Sequence, residues 1–185
     1  MFDSIKRQKG FTLVEVMISI SIAMVISTML LSYNRSSEKQ IVLFREQAAL
    51  VGFLNRAKTL AVEKFNEDPL ACAFGLYFPA SEPKKFILFQ DLQAEGSEPI
   101  FGCRDDEGHL KTNHSYDVGE ELESYTIDNR LNFKDVPSDL AILFVPPELS
   151  VVSSAPLPVA IKIETLDGAS SALITVGEVG QITAQ

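Results

Sequence analysis

The sequence predicts an α+β protein: a long N-terminal helix, membrane-spanning in its first half and amphipathic in its second, packed on an antiparallel β-sheet head. Three observations carry this prediction. Residues 11–31, FTLVEVMISISIAMVISTMLL, hold 15 apolar side chains and a single charge, Glu15. All nine prolines lie at or beyond Pro69, so the strongest helix breaker is missing from everything before it. From Leu70 onward, short apolar runs alternate with turn residues, the pattern of antiparallel strands. The 185 residues leave room for one ordinary domain and an appendage. The expected division is a leader (1–10), a transmembrane helix half (11–31), an amphipathic helix half (32–66) and a β head (67–185).

The leader, MFDSIKRQKG, carries three bases against Asp3. Basic residues directly before an apolar run place that end in the cytoplasm, and the rest of the chain across the membrane. As a helix, 11–31 reaches roughly 31 Å, enough for a bilayer's hydrocarbon core. A cleaved secretory signal fits poorly, because its apolar region spans only about 7–15 residues and ends in a small-x-small site. Here Ser32, Tyr33, Asn34 and Arg35 follow the run. Glu15 is the anomaly: a carboxylate in lipid needs a partner.

Past the span, Leu43, Leu50, Leu54, Ala57, Ala61 and Phe65 recur at sevens, fours and threes, one apolar stripe at helical period. Glu38, Lys39, Arg45, Glu46, Arg56, Lys58, Glu63 and Lys64 mark the opposite, solvated face. The pattern weakens around residues 33–37 and at Gly52, where a bend or unwinding is expected. Asn66, Glu67, Asp68 and Pro69 end the helix. Strands are predicted over 71–78, 86–91, 123–127, 140–144, 159–165, 171–176 and 181–184, forming one twisted sheet under the helix.

The string Lys9-Gly10-Phe11-Thr12-Leu13-Val14-Glu15, behind a short basic leader and before a long apolar helix, resembles the class III signal of type IV pilins and type II secretion pseudopilins. The resemblance implies that a membrane aspartyl prepilin peptidase cuts after Gly10 and methylates the new amino terminus at Phe11. It implies that Glu15 meets a neighbouring subunit's amino terminus during filament assembly. Phe11 and Glu15 could equally pair within one helix, at i and i+4; an acid that snorkels to water is the bland alternative. Other pilin or pseudopilin subunits, an assembly ATPase and an inner-membrane platform are the implied partners. The implied location is the cytoplasmic membrane, crossed once with the head outside, then a filament in the periplasm or at the cell surface. Residues 48–65 and 171–184 resemble, more loosely, H-type minor pseudopilins and fimbrial T-type pilins. A minor subunit is therefore favoured over a major one.

Removing residues 1–10 takes 3 of 16 bases and 1 of 25 acids, leaving 13 and 24, a side-chain net of −11. Such an acidic body argues against nucleic-acid binding. An exported head permits a disulfide, so a Cys72–Cys103 bridge is expected, with two buried thiols as the alternative. No cofactor is expected. Asp105, Asp106, Glu107, Asp117, Glu120 and Glu121 could gather around Ca²⁺, but they fit no EF-hand spacing and read first as a solvated face. His109 and His114 read as surface-loop residues, and no GxSxG, phosphate loop or HExxH occurs. No enzyme is predicted. The competing class is an uncleaved, single-pass membrane anchor carrying a ligand- or calcium-binding head.

Overall fold

The computed structural model describes residues 10–64, 67, 71–93 and 114–185, with backbone alone at 31–37. Helix α1 (Leu13–Lys64) comes first, followed by nine strands: β1 (Ala71–Phe78), β2 (Lys85–Leu92), β3 (Glu121–Thr126), β4 (Leu131–Lys134), β5 (Leu140–Val145), β6 (Ser150–Ser153), β7 (Val159–Thr165), β8 (Ser171–Val176) and β9 (Ile182–Ala184). The chain forms two units, Met1–Lys39 and Gln40–Gln185. Helix α1 stays helical through 33–37 and Gly52, against the expected unwinding. Gly52 faces open space, so it costs only its propensity of about 1 kcal/mol, which neighbouring turns absorb.

Within the first unit, Leu13–Leu30 is apolar enough to cross a membrane and none of it is buried. Within the second unit, α1 turns one stripe inward. Leu43, Leu50, Leu54, Ala57 and Ala61 are buried as their spacing predicts, while Phe65 lies outside the described residues. The charged face has one exception: Glu46 is only 1% exposed.

The strands form two antiparallel sheets, not the single sheet the sequence suggests: β3-β2-β1-β5-β6 and β4-β7-β8-β9. One helix covers only part of an apolar sheet face, and a second sheet encloses the remainder. Phe74, Leu76, Phe86 and Phe144 of the first sheet share one core with Ile161, Ile163, Ile174 and Val176 of the second and with the α1 stripe. Strands β4 and β6 have four residues each and no readable alternation; they form because β7 and β5 offer ladders to pair with.

Strand β1 lies at the centre of its sheet and is buried on both sides, which explains why ACAFGLYF is continuously apolar. A smaller cluster of Ala73, Ile87, Phe89, Ala141 and Leu143 occupies the face away from α1. Gly75 pairs with Leu143 of β5, and a Cβ there would stand 2.2 Å from the Ile142 carbonyl oxygen. Only glycine fits without moving a central backbone. Gly75→Ala should therefore destabilise the protein by about 2 kcal/mol or more, as overpacking does. A thermal melt of the detergent-solubilised chain checks this, and an unchanged midpoint would contradict it.

Candidate functional site at the start of the helix

The chain enters α1 through Thr12-Leu13-Val14-Glu15, the T-x-x-E spacing of a capping box. The Thr12 carbonyl accepts the first helical bond, from the Val16 N–H at 3.2 Å. The Glu15 N–H donates to Thr12 Oγ1 at 3.3 Å. In return Glu15 Oε2 accepts the Thr12 N–H and the Thr12 hydroxyl, each at 2.8 Å. Two amide donors that a helix start leaves unpaired are thus satisfied locally. Glu15 Oε1 accepts no hydrogen bond among the described residues.

Gly10 and Phe11 precede the helix. Phe11 is 87% exposed, and nothing lies within 4 Å of where a Gly10 side chain would begin. Phe11 lies ahead of the helix, and the pairing of its amine with Glu15 belongs to the trimmed chain. In the whole chain the partner of Glu15 is Thr12, a contact that the T-x-x-E spacing signals and the sequence analysis did not name. Further along, the Ser19, Ser21 and Ser27 hydroxyls donate to the carbonyls of Glu15, Met17 and Ala23 at 2.8–2.9 Å, and Thr28 donates to Val25. Each polar side chain of the span satisfies itself on its own helix, as a hydrocarbon setting demands.

In the described part of the head, polar groups tie elements together. Buried Glu46 accepts Arg45 Nη2 at 2.6 Å and the Tyr125 hydroxyl at 2.9 Å. Burial, followed by that bond to Glu46, pushes the Tyr125 phenol up, while Glu46 raises the Arg45 guanidinium. Lys58 donates to the Gly180 carbonyl at 3.1 Å and Gln47 to that of Gln185 at 3.0 Å, tying α1 to the last hairpin. Arg56 pairs with Glu123 of β3. Lys84 donates to the Asn129 carbonyl, and Lys85 pairs with Glu82.

His114 departs from its expected surface position. Its side chain is 11% exposed and its Nδ1 lies 2.8 Å from Oδ2 of Asp91, itself 1% exposed. Glu120 is also buried, and it accepts the backbone N–H groups of Leu92 and Asp117. Burial is the main cause that raises its carboxyl. Among the described residues no group of three His, Cys, Asp or Glu side chains could hold a metal. Asp105, Asp106, Glu107, His109 and Cys103 lie outside them. Cys72, the extra residue of a bulge opposite Leu92 and Asp91, is disulfide-bonded. A cavity of about 220 Å³ is lined by Phe78, Phe133, Pro79, Pro83 and Pro137, with Lys85, Asp135 and Ser138 beside them.

Residues 5–31 match the family model described as the prokaryotic N-terminal methylation motif. This is the class III prepilin signal of type IV pilins and pseudopilins, so the chain carries a pilin-type start on a membrane-anchoring helix. A motif of this kind implies processing by prepilin peptidase and assembly with other pilins. No curated protein and no solved structure matches the chain.

The head's electrostatics give one acid-side test. Hydrogen bonds from the Arg130 side chain and backbone hold the Asp128 carboxyl at about 2, below its ordinary 3.8. A depressed carboxyl contributes stability above its unfolded value, and that contribution disappears as pH falls through the folded one. The thermal midpoint should fall between pH 4 and 2, and Arg130→Ala should flatten that fall.

Proposed function

We propose that this protein is a structural subunit of a type IV pilus or type II secretion pseudopilus, of the minor kind. It enters the cytoplasmic membrane through α1 with its head outside. Prepilin peptidase adds water across the Gly10–Phe11 amide, leaving a carboxylate on Gly10 and an amine on Phe11. The same enzyme then moves a methyl group from a methyl donor to that amine, and the demethylated donor and one proton leave. The trimmed chain joins a filament through its apolar helix, driven by the assembly ATPase and platform protein that such filaments use. A Cys72–Cys103 disulfide braces the exported head, which needs no cofactor.

The observation that carries this reading is the match over 5–31, laid on a helix whose first stretch, Leu13–Leu30, has none of its side chains buried. A helix apolar on every side is stable only in lipid or among other helices. The capping box supports the role assigned to Glu15, since it holds Oε2 and leaves Oε1 for an incoming amine. The looser likeness of 48–65 and 171–184 to H- and T-type subunits supports the minor kind.

Mass spectrometry of the native protein should show a chain that begins at methylated Phe11. Gly10→Leu should leave it untrimmed, because the peptidase needs a small residue before the cut. An intact Met1 in the wild type would favour the uncleaved anchor instead. Glu15→Val should insert and be trimmed normally yet fail to enter filaments, scored by shearing and immunoblot. Normal filaments from that variant would remove Glu15 from assembly.

A further inference from the structure

The sequence offers no punctuation of its own between leader and span other than Gly10. Ile5-Lys6-Arg7-Gln8-Lys9 contains good helix formers, and 13–31 is helical from its first residue. Extending an existing helix is cheap compared with nucleating one. Yet the structure stops the helix at Thr12 and leaves Gly10 and Phe11, on either side of one peptide bond, outside it and exposed.

The hydrogen bonds explain the stop. In a helix that continued upstream, the Glu15 N–H would donate to the carbonyl of residue 11, and the Thr12 N–H to that of residue 8. Here the first goes to Thr12 Oγ1 and the second to Glu15 Oε2. Neither amide needs an upstream carbonyl, so nothing draws Phe11 into the helix. A peptidase must hold its substrate extended to reach the amide it hydrolyses, and a helical amide is closed to it.

We infer that Thr12 is a positioning residue for the cleavage proposed above: its hydroxyl ends the helix two residues past the cut and keeps the Gly10–Phe11 bond extended and open to the peptidase. The inference rests on that proposed cleavage. Thr12 touches neither of the atoms that separate; it acts through the conformation of Phe11. Of the two bonds, the one that keeps the Phe11 carbonyl out of the helix is the Glu15 N–H to Thr12 Oγ1, and it survives loss of the Glu15 carboxylate, which frees only the Thr12 N–H. Loss of cleavage on altering Thr12 and loss of assembly on altering Glu15 are therefore separable.

The test uses the full chain in detergent with purified prepilin peptidase. Thr12→Val keeps the shape and removes the acceptor, whereas Thr12→Ser keeps both cap and box. The valine variant should be cut about fivefold more slowly or worse, in the range that losing an N-cap moves an equilibrium, and the serine variant should be cut at nearly the wild-type rate. In micelles, the Phe11 backbone carbon shifts should be non-helical in wild type and serine variant and should move toward helix in the valine variant. Wild-type cutting with an equally fast valine variant would overturn this inference alone. So would slow cutting with unmoved Phe11 shifts, since the enzyme would then be reading the side chain. A wild-type chain left whole would overturn the cleavage reading as well.

Discussion

A carboxylate three residues into an apolar helix dominates this molecule. In water Glu15 would be unremarked, but in a membrane an ionised acid survives only with donors close by or a counter-charge. The chain supplies the donors from Thr12, the residue directly ahead of the helix. That solution has two effects. It fixes where the helix begins, and it commits one carboxylate oxygen while leaving the other outside any bond among the described residues. A single short motif thus sets both the backbone around Phe11 and the direction in which negative charge is presented.

The same helix meets two different solvents along its length. Its first part is apolar on all faces and covers its few hydroxyls by bonding them back to its own carbonyls. Its second part is amphipathic and buries leucines and alanines at helical spacing beneath two sheets. Small residues at Ala57 and Ala61 let the sheets come close, and the ring pair of Phe53 and Phe86 fills the width beside them at 5.1 Å. Glu46 interrupts the stripe logic. It is buried because Tyr125 and Arg45 together satisfy it, and removing either partner would leave a desolvated charge.

Periodicity and prolines made most of this architecture legible. The long helix, the membrane span and the strands at 71–78, 159–165 and 171–176 follow from patterns longer than five residues, where burial and spacing agree. What escaped was decided by tertiary partners. Strands β4 and β6 are too short to show alternation, and the division into two sheets depends on which ladder each joins. His114 reads as a loop residue until the fold brings Asp91 to it. Glu46 reads as solvated until Tyr125 arrives from β3. Thr12 is different: its signal was local and complete, but the reading of Glu15 as an ion in search of an amine hid its plainer bond to the residue three before it.

Chemistry in a protein tends to sit where polar groups are buried without full compensation, or where backbone is held under strain. In the described part of this head the buried acids are compensated: Glu46 by Tyr125 and Arg45, Glu120 by two backbone amides, Asp91 with His114 beside it. Left-handed residues such as Asp139 sit at turns; there its carboxylate accepts the Tyr77 hydroxyl and the Ala80 N–H and closes the turn it strains. These groups spend their bonding capacity on shape. Among the described residues, what stays unspent lies at the start of the helix: one oxygen of Glu15, the open backbone at Gly10 and Phe11, and a stretch, Leu13–Leu30, with apolar side chains on every side. Those are groups that a cutting enzyme and neighbouring helices can use, which is the division of labour expected of a part made to be trimmed and stacked.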